Sequence, residues 1–170
     1  MKKLNILKTL LDVFWVFSII GIIGLALFIP FMFFSDEAMD IPIKINGEKI
    51  LVIDWTTRII LVLGVIAYCF FVYAIYQLRK LLVLFSNRII FDEKIILLLH
   101  QVGLNFMFAS FLTGIPALIY NVRTKGDMAV EFGGGFSSFL FTASLGLFFM
   151  VLSEVFKMAK TMKEENELTI

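Results

Sequence analysis

Polar side chains are scarce along most of this sequence, and four of them occupy positions where they could act together. His100, Gln101 and Asn105 lie near one end of a long apolar block, and Glu154 lies near the end of another. Gln101 and Asn105 are four residues apart and therefore share one face of a helix. Polar groups at the margin of an apolar span turn into a bundle to find partners, and they often mark function. Read from the residues, this set is a hydrogen-bonded clasp between the third and fourth apolar segments, with Glu154 as the partner; a proton or ligand site is the alternative.

Other chemistry fails on spacing or on missing residue types. Gly135-Phe136-Ser137 with His100 has the residue types of an intramembrane serine protease. Helix rise, however, separates Ser137 from His100 by about 25 Å, whereas a nucleophile and its base must be within hydrogen-bond reach. The run Gly133-Gly134-Gly135 lacks the following Lys-Ser/Thr of a phosphate-binding loop. Its glycines suit a tight turn or a close helix approach instead. No His-Glu-x-x-His pattern occurs, and Cys69, the single cysteine, excludes an internal disulfide. The expectation is a non-enzymatic chain with no catalytic residue, cofactor or metal. Ion-coupled carriers usually keep ionisable groups near the midplane of the bilayer, and none lies deep in an apolar block here.

The elements that hold these residues follow from composition. Hydrophobic residues make up 60% of the chain and charged residues 17%, against about 45–50% and about 25% in soluble domains. The apolar residues fall into four blocks, at 13–34, 59–78, 95–120 and 132–153, none with Asp, Glu, Lys or Arg. Each meets the roughly 20 residues that a helix needs to cross about 30 Å of hydrocarbon. The first block is too long for a signal-peptide core and is followed by no small-x-small cleavage pattern, so it reads as a retained span. The predicted fold is an all-α, four-helix transmembrane bundle, with residues 1–170 as one domain. Ser110 and Gly114 in the third span, and Ser138, Thr142 and Gly146 in the fourth, recur at spacings of four or multiples of four. Such small residues let helix backbones approach, so the third and fourth helices are expected to pair. The same pattern would also suit a homo-oligomer seam.

Lys and Arg set the orientation. The N-terminal arm, the middle connection and the tail carry ten of them, and the other two loops carry five. The positive-inside bias puts both termini and the middle connection in the cytoplasm of a multi-pass membrane protein. The outer loop at 35–57 alternates Ile41, Ile43 and Ile45, then has Asn46-Gly47, then Ile50, Val52 and Trp55. Asn-Gly between such runs predicts an extracytoplasmic β-hairpin. It reads as a small cap, or alternatively as a receptor surface, with Trp55 as an interfacial anchor. On the inner side the connection at 85–91 is apolar for a loop, and Asp92 is placed to cap the third helix. This connection is expected to lie in the interface or to dock a soluble partner.

The fourth helix is expected to run past the membrane, with Val155, Met158, Ala159 and Met162 as an apolar stripe beside Lys157, Lys160 and Lys163. Glu164, Glu165 and Glu167 then oppose the helix dipole and are expected to fray the last turn, leaving Leu168 and Ile170 accessible. Glu154-Val155-Phe156 followed by the run from Lys163 to Ile170 resembles the terminal signature of a family of small bacterial four-span membrane proteins of unknown function. Phe85-Ser86-Asn87 through Phe91-Asp92 to Gly103 resembles its central motif, although no proline lies between Pro42 and Pro116, where that family commonly has Pro-Phe. The resemblance implies a neighbouring gene for a small Xre-type helix-turn-helix regulator. It thereby directs attention to Phe85, Asn87, Phe91, Asp92, Met158, Met162, Leu168 and Ile170 as partner-docking positions. The resulting expectation is the membrane component of a regulatory pair, partnered by lipid and that regulator, without direct nucleic-acid contact. An immunity protein against a membrane-active peptide, or a small transporter subunit, is the competing reading.

Overall fold

The computed structural model describes residues 2–34, 44–45, 48–49, 54–125 and 135–168. Its helices are α1 (Lys2–Phe34), α2 (Trp55–Ser86), α3 (Glu93–Lys125) and α4 (Gly135–Leu168). All four are long and apolar enough to cross a membrane. At 32 to 34 residues each is about 50 Å long, against about 30 Å of hydrocarbon. They must therefore tilt or project beyond it.

Between α1 and α2, the two-residue strands β1 (Lys44–Ile45) and β2 (Glu48–Lys49) pair antiparallel, Lys44 with Lys49 and Ile45 with Glu48. The remaining strand positions of the expected hairpin and its Asn-Gly turn fall outside the described residues. Trp55 belongs to α2 rather than to the loop. The Asp54 carboxylate caps α2 by accepting from the Trp55 N–H at 2.7 Å, and Arg58 lies 5.2 Å over the Trp55 ring.

The helices pack in sequence order. The α3–α4 contact is the most extensive, followed by α2–α3 and then α1–α2. The pairing of α3 with α4 is as expected, but Gly103 had no part in that expectation. A Cβ on Gly103 would lie 2.7 Å from the Gly146 carbonyl oxygen, and one on Gly146 would lie 2.9 Å from that of Gly103. The two backbones thus meet where neither residue has a side chain. Gly114 instead accommodates the Phe139 ring, with which a Cβ would clash. Ser110 is buried and donates to the Met107 carbonyl of its own helix.

Aromatic rings tie all four helices together. Phe14 of α1 meets Phe71 of α2 edge-on, Phe71 meets Phe106 of α3, and Phe106 stacks on Phe149 of α4 at 5.9 Å. Phe106 is only 1% exposed and sits with Leu11, Ala74, Ile75, Leu82 and Val102 in the core. The outward surface is apolar as well, with Leu27 and Phe141 among the exposed residues. An exposed apolar belt of this extent suits lipid rather than water.

The α2–α3 turn spans only Asn87 to Asp92, because α2 continues through Ser86. Arg88 donates its N–H to the Phe85 carbonyl and Ile89 to the Leu84 carbonyl, each at 3.1 Å. These are the two bonds of a Schellman stop. The position of positive φ in that stop is filled by Arg88, at φ 59°, where glycine adopts the conformation without steric cost. Arg88→Gly is therefore expected to stabilise the protein by up to about 1 kcal/mol, measurable as a rise in unfolding midpoint in detergent. Asp92 then opens α3, accepting from the Lys94 N–H at 2.9 Å as expected of an N-cap.

At the far end, α4 runs unbroken to Leu168, so the glutamates do not fray it. Lys160 pairs with Glu164 at 3.5 Å and Lys163 with Glu167 at 3.6 Å, both one turn apart. These contacts offset the unfavourable helix dipole, since such pairs are worth a few tenths of a kcal/mol, about the same as the terminal charge effect.

Candidate functional site

Two groups of residues in the half of the bundle that carries the α2–α3 turn join separate helices. The first is a polar layer. Gln77 of α2, 3% exposed, donates its side-chain amide to Gln101 Oε1 at 2.7 Å and accepts from Asn105 Nδ2 at 2.9 Å. Asn105 also donates to the Gln101 carbonyl at 2.8 Å. About 3 Å further along α2 by helix rise, Arg79 Nε donates to Asp12 of α1 at 2.5 Å, and its guanidinium stacks 4.3 Å over Trp15. The layer therefore links α1, α2 and α3.

This arrangement corrects the predicted clasp. Gln101 and Asn105 do find a partner, but it is Gln77, and the neighbouring helix is α2 rather than α4. His100 and Glu154 are exposed and neither joins the layer, because each lies on a face of its helix turned away from it. The link between α3 and α4 at this depth is made by Ser153, whose hydroxyl donates to the Ile96 carbonyl at 2.8 Å. Gln77, Asp12 and Arg79 were not singled out from the sequence. A signal was present: residues 12 and 79 flank the inner ends of the first two predicted spans, which places opposite charges at one depth.

The second group joins the α2–α3 turn to the part of α4 that projects past the span. The Phe85 ring meets that of Phe156 at a tilt, with centroids 5.9 Å apart, Lys160 Nζ donates to Glu93 Oε1 at 2.9 Å, and Lys163 lies 5.3 Å over the Phe91 ring. The bond to Glu93 is the main cause holding the Lys160 pKa above the ordinary lysine value of 10.5, with the charges of Glu93 and Glu164 adding to it and partial burial opposing it. Since the lysine is the group raised, its contribution is complete below that ordinary value and is lost only as alkali deprotonates it. These contacts border a cleft of about 510 Å³ lined by residues 88–93, Lys160 and Lys163.

The predicted docking residues divide on this geometry. Phe85 is half-buried and packs against the core. Asp92 is committed to the α3 cap, and Asn87 ends α2 with its N–H on the Val83 and Leu84 carbonyls. Phe91, Met158, Met162 and Leu168 are exposed, Leu168 at 88%. Ile170 lies outside the described residues. Met158 and Met162 continue an exposed stripe that begins with Leu147, Phe148 and Val151 earlier on α4. No group of three or more His, Cys, Asp or Glu side chains able to hold a metal occurs among the described residues.

A family model described as "Protein of unknown function (DUF2975)" matches residues 12–170. No curated protein and no solved structure matches the chain.

Proposed function

Because this chain belongs to the DUF2975 family, whose function is unknown, we propose its role from geometry and charge: it is a non-enzymatic, multi-pass component of the bacterial inner membrane that recruits a small helix-turn-helix regulator. Both termini face the cytoplasm in this reading, as the excess of Lys and Arg on the arm, the middle connection and the tail supports, and the β1–β2 segment faces outward. The observation that carries it is the convergence of the α2–α3 turn and the α4 extension on one side of the bundle, through Phe85 with Phe156 and Lys160 with Glu93. Two segments that would otherwise be a loop and a stub thereby form one surface.

The surface combines exposed Ile89, Ile90 and Phe91 on the turn with Lys160 and Lys163 of α4, around the cleft that Asp92 and Glu93 also line. Met158 and Met162 lie across the α4 extension from it, an apolar stripe whose helical spacing suits a helix-in-groove contact, and the charges around the cleft would steer the encounter. Sequestration of a DNA-binding protein at the membrane needs no catalytic group on this chain.

Deleting residues 165–170 tests the role of the tail. Co-purification of the regulator encoded beside this gene is expected to fall while accumulation of the membrane protein stays unchanged. If both are unchanged, the tail takes no part and the docking must rest on the turn alone.

A further inference from the structure

In the outer half of the bundle, α2, α3 and α4 enclose a cleft of about 370 Å³ lined by Gly64, Ala67, Tyr68 and Phe71, by Ala109, Thr113 and Ala117, and by Ser138 and Thr142. Helix α3 packs extensively on both α2 and α4, whereas α2 and α4 have no extensive contact with each other. The cleft is thus a groove with α3 as its floor. Along α2 it begins about 12 Å from Arg79 and ends about 22 Å from it, at 1.5 Å per residue. No Asp, Glu, Lys or Arg lies in α2 between Arg58 and Arg79, in α3 between Lys94 and Arg123, or in α4 before Glu154. The groove therefore sits within the depth of the hydrocarbon.

Its walls specify the chemistry of an occupant. Three lining hydroxyls already spend their protons on main-chain carbonyls: Thr113 on Ala109 or Ser110 at 3.0 Å, Thr142 on Ser138 at 2.8 Å, and Tyr68 on Ser18 at 3.3 Å. An anion would find no charge and few donors, and a cation would find no carboxylate. What these walls offer is apolar surface around about 370 Å³, room for a narrow hydrocarbon chain but less than the roughly 800 Å³ that a 10 Å length of helix about 10 Å across occupies. At this depth such chains are the surrounding solvent.

We propose that this groove is a binding site for one hydrocarbon chain of a bilayer lipid. Gly64 supplies the means to test it. A Cβ on Gly64 would meet nothing within 4 Å, and the same is true of Gly24, but only Gly64 lines the groove. Gly64→Leu should fill the groove without disturbing the helices, and Gly24→Leu is its matched control.

The experiment reconstitutes the full chain in vesicles of phosphatidylethanolamine and phosphatidylglycerol, doped with a phospholipid carrying a diazirine within its acyl chain. Photolysis adducts are then mapped by mass spectrometry. Adducts are expected on the segment from Ala109 to Ala117 and at Thr142 in the native chain and in Gly24→Leu. They should be lost in Gly64→Leu and in a second filling variant, Ala117→Leu, while adducts on the outward Leu147–Val151 face persist in all four proteins. Groove adducts that are absent from the native chain, or that survive both filling variants, would overturn the proposal. So would protection of the native groove in a chain of dimeric mass, which would assign the groove to a second copy.

Discussion

Gly103→Leu and Gly146→Leu are each expected to destabilise the bundle by about 3 kcal/mol, the upper part of the range for overpacking a closed contact. At Gly103 the added carbon would meet the Gly146 carbonyl at 2.7 Å as well as Met150 Cγ at 2.5 Å, and at Gly146 it would meet the Gly103 carbonyl at 2.9 Å. A side chain can rotate aside, but a carbonyl in a helix can yield only if the helices separate. Separation would also disturb the stacking of Phe106 on Phe149 one turn away. Gly24→Leu, with open space around it, should cost no more than about 0.5 kcal/mol. Gly21 is an intermediate case, because its added carbon would meet the hydroxyl end of Tyr68 at 2.7 Å. Reversible unfolding in mixed micelles would rank these variants, and equal losses at Gly24 and Gly146 would contradict the close approach of α3 and α4.

The second large effect is expected at Gln77. It is the hub of the polar layer, donating to Gln101 and accepting from Asn105. Gln77→Leu removes both bonds, so that Gln101 Oε1 and Asn105 Nδ2 each lose a partner, at a cost of about 1–2 kcal/mol in a membrane setting. Asn105 keeps its bond to the Gln101 carbonyl, which limits the loss. His100→Gln, one residue from Gln101 but exposed, should change stability by less than about 0.5 kcal/mol. The same unfolding measurement separates the two sites. A larger loss at His100 than at Gln77 would mean that the polar layer is organised around the imidazole.

The comparison of these two residues shows what the sequence makes legible. Four apolar blocks free of charge prescribe four spanning helices, because length and hydropathy alone decide that outcome. Glycines and small hydroxyl residues at spacings of four prescribe that α3 and α4 pair. Which face of a helix meets which neighbour is a different kind of information. Gln101 and Asn105 visibly share a face, yet nothing local says whether that face turns to α2 or to α4, and the choice follows from how α3 is rotated by the Gly103–Gly146 contact. Gln77 was hidden because it closes an apolar block beside Arg79 and Lys80, where a polar residue is ordinary. The end of α4 was misjudged for a related reason: the dipole penalty of Glu164 and Glu167 is visible in the sequence, but so were the lysines one turn before them, and the pairs prevail. The joining of turn to tail depends on long-range placement of Phe85 near Phe156, which no local pattern encodes.

The functional reading stands on that joined surface, and crosslinking in living cells tests it most directly. A photoreactive amino acid is placed at Ile90 in the turn, at Lys163 in the α4 extension, or at Leu27, which is 75% exposed on α1. Adducts with one and the same small helix-turn-helix protein, identified by mass spectrometry, are expected from positions 90 and 163 and not from position 27. Adducts from neither position, in cells that accumulate both proteins, would contradict recruitment at this surface.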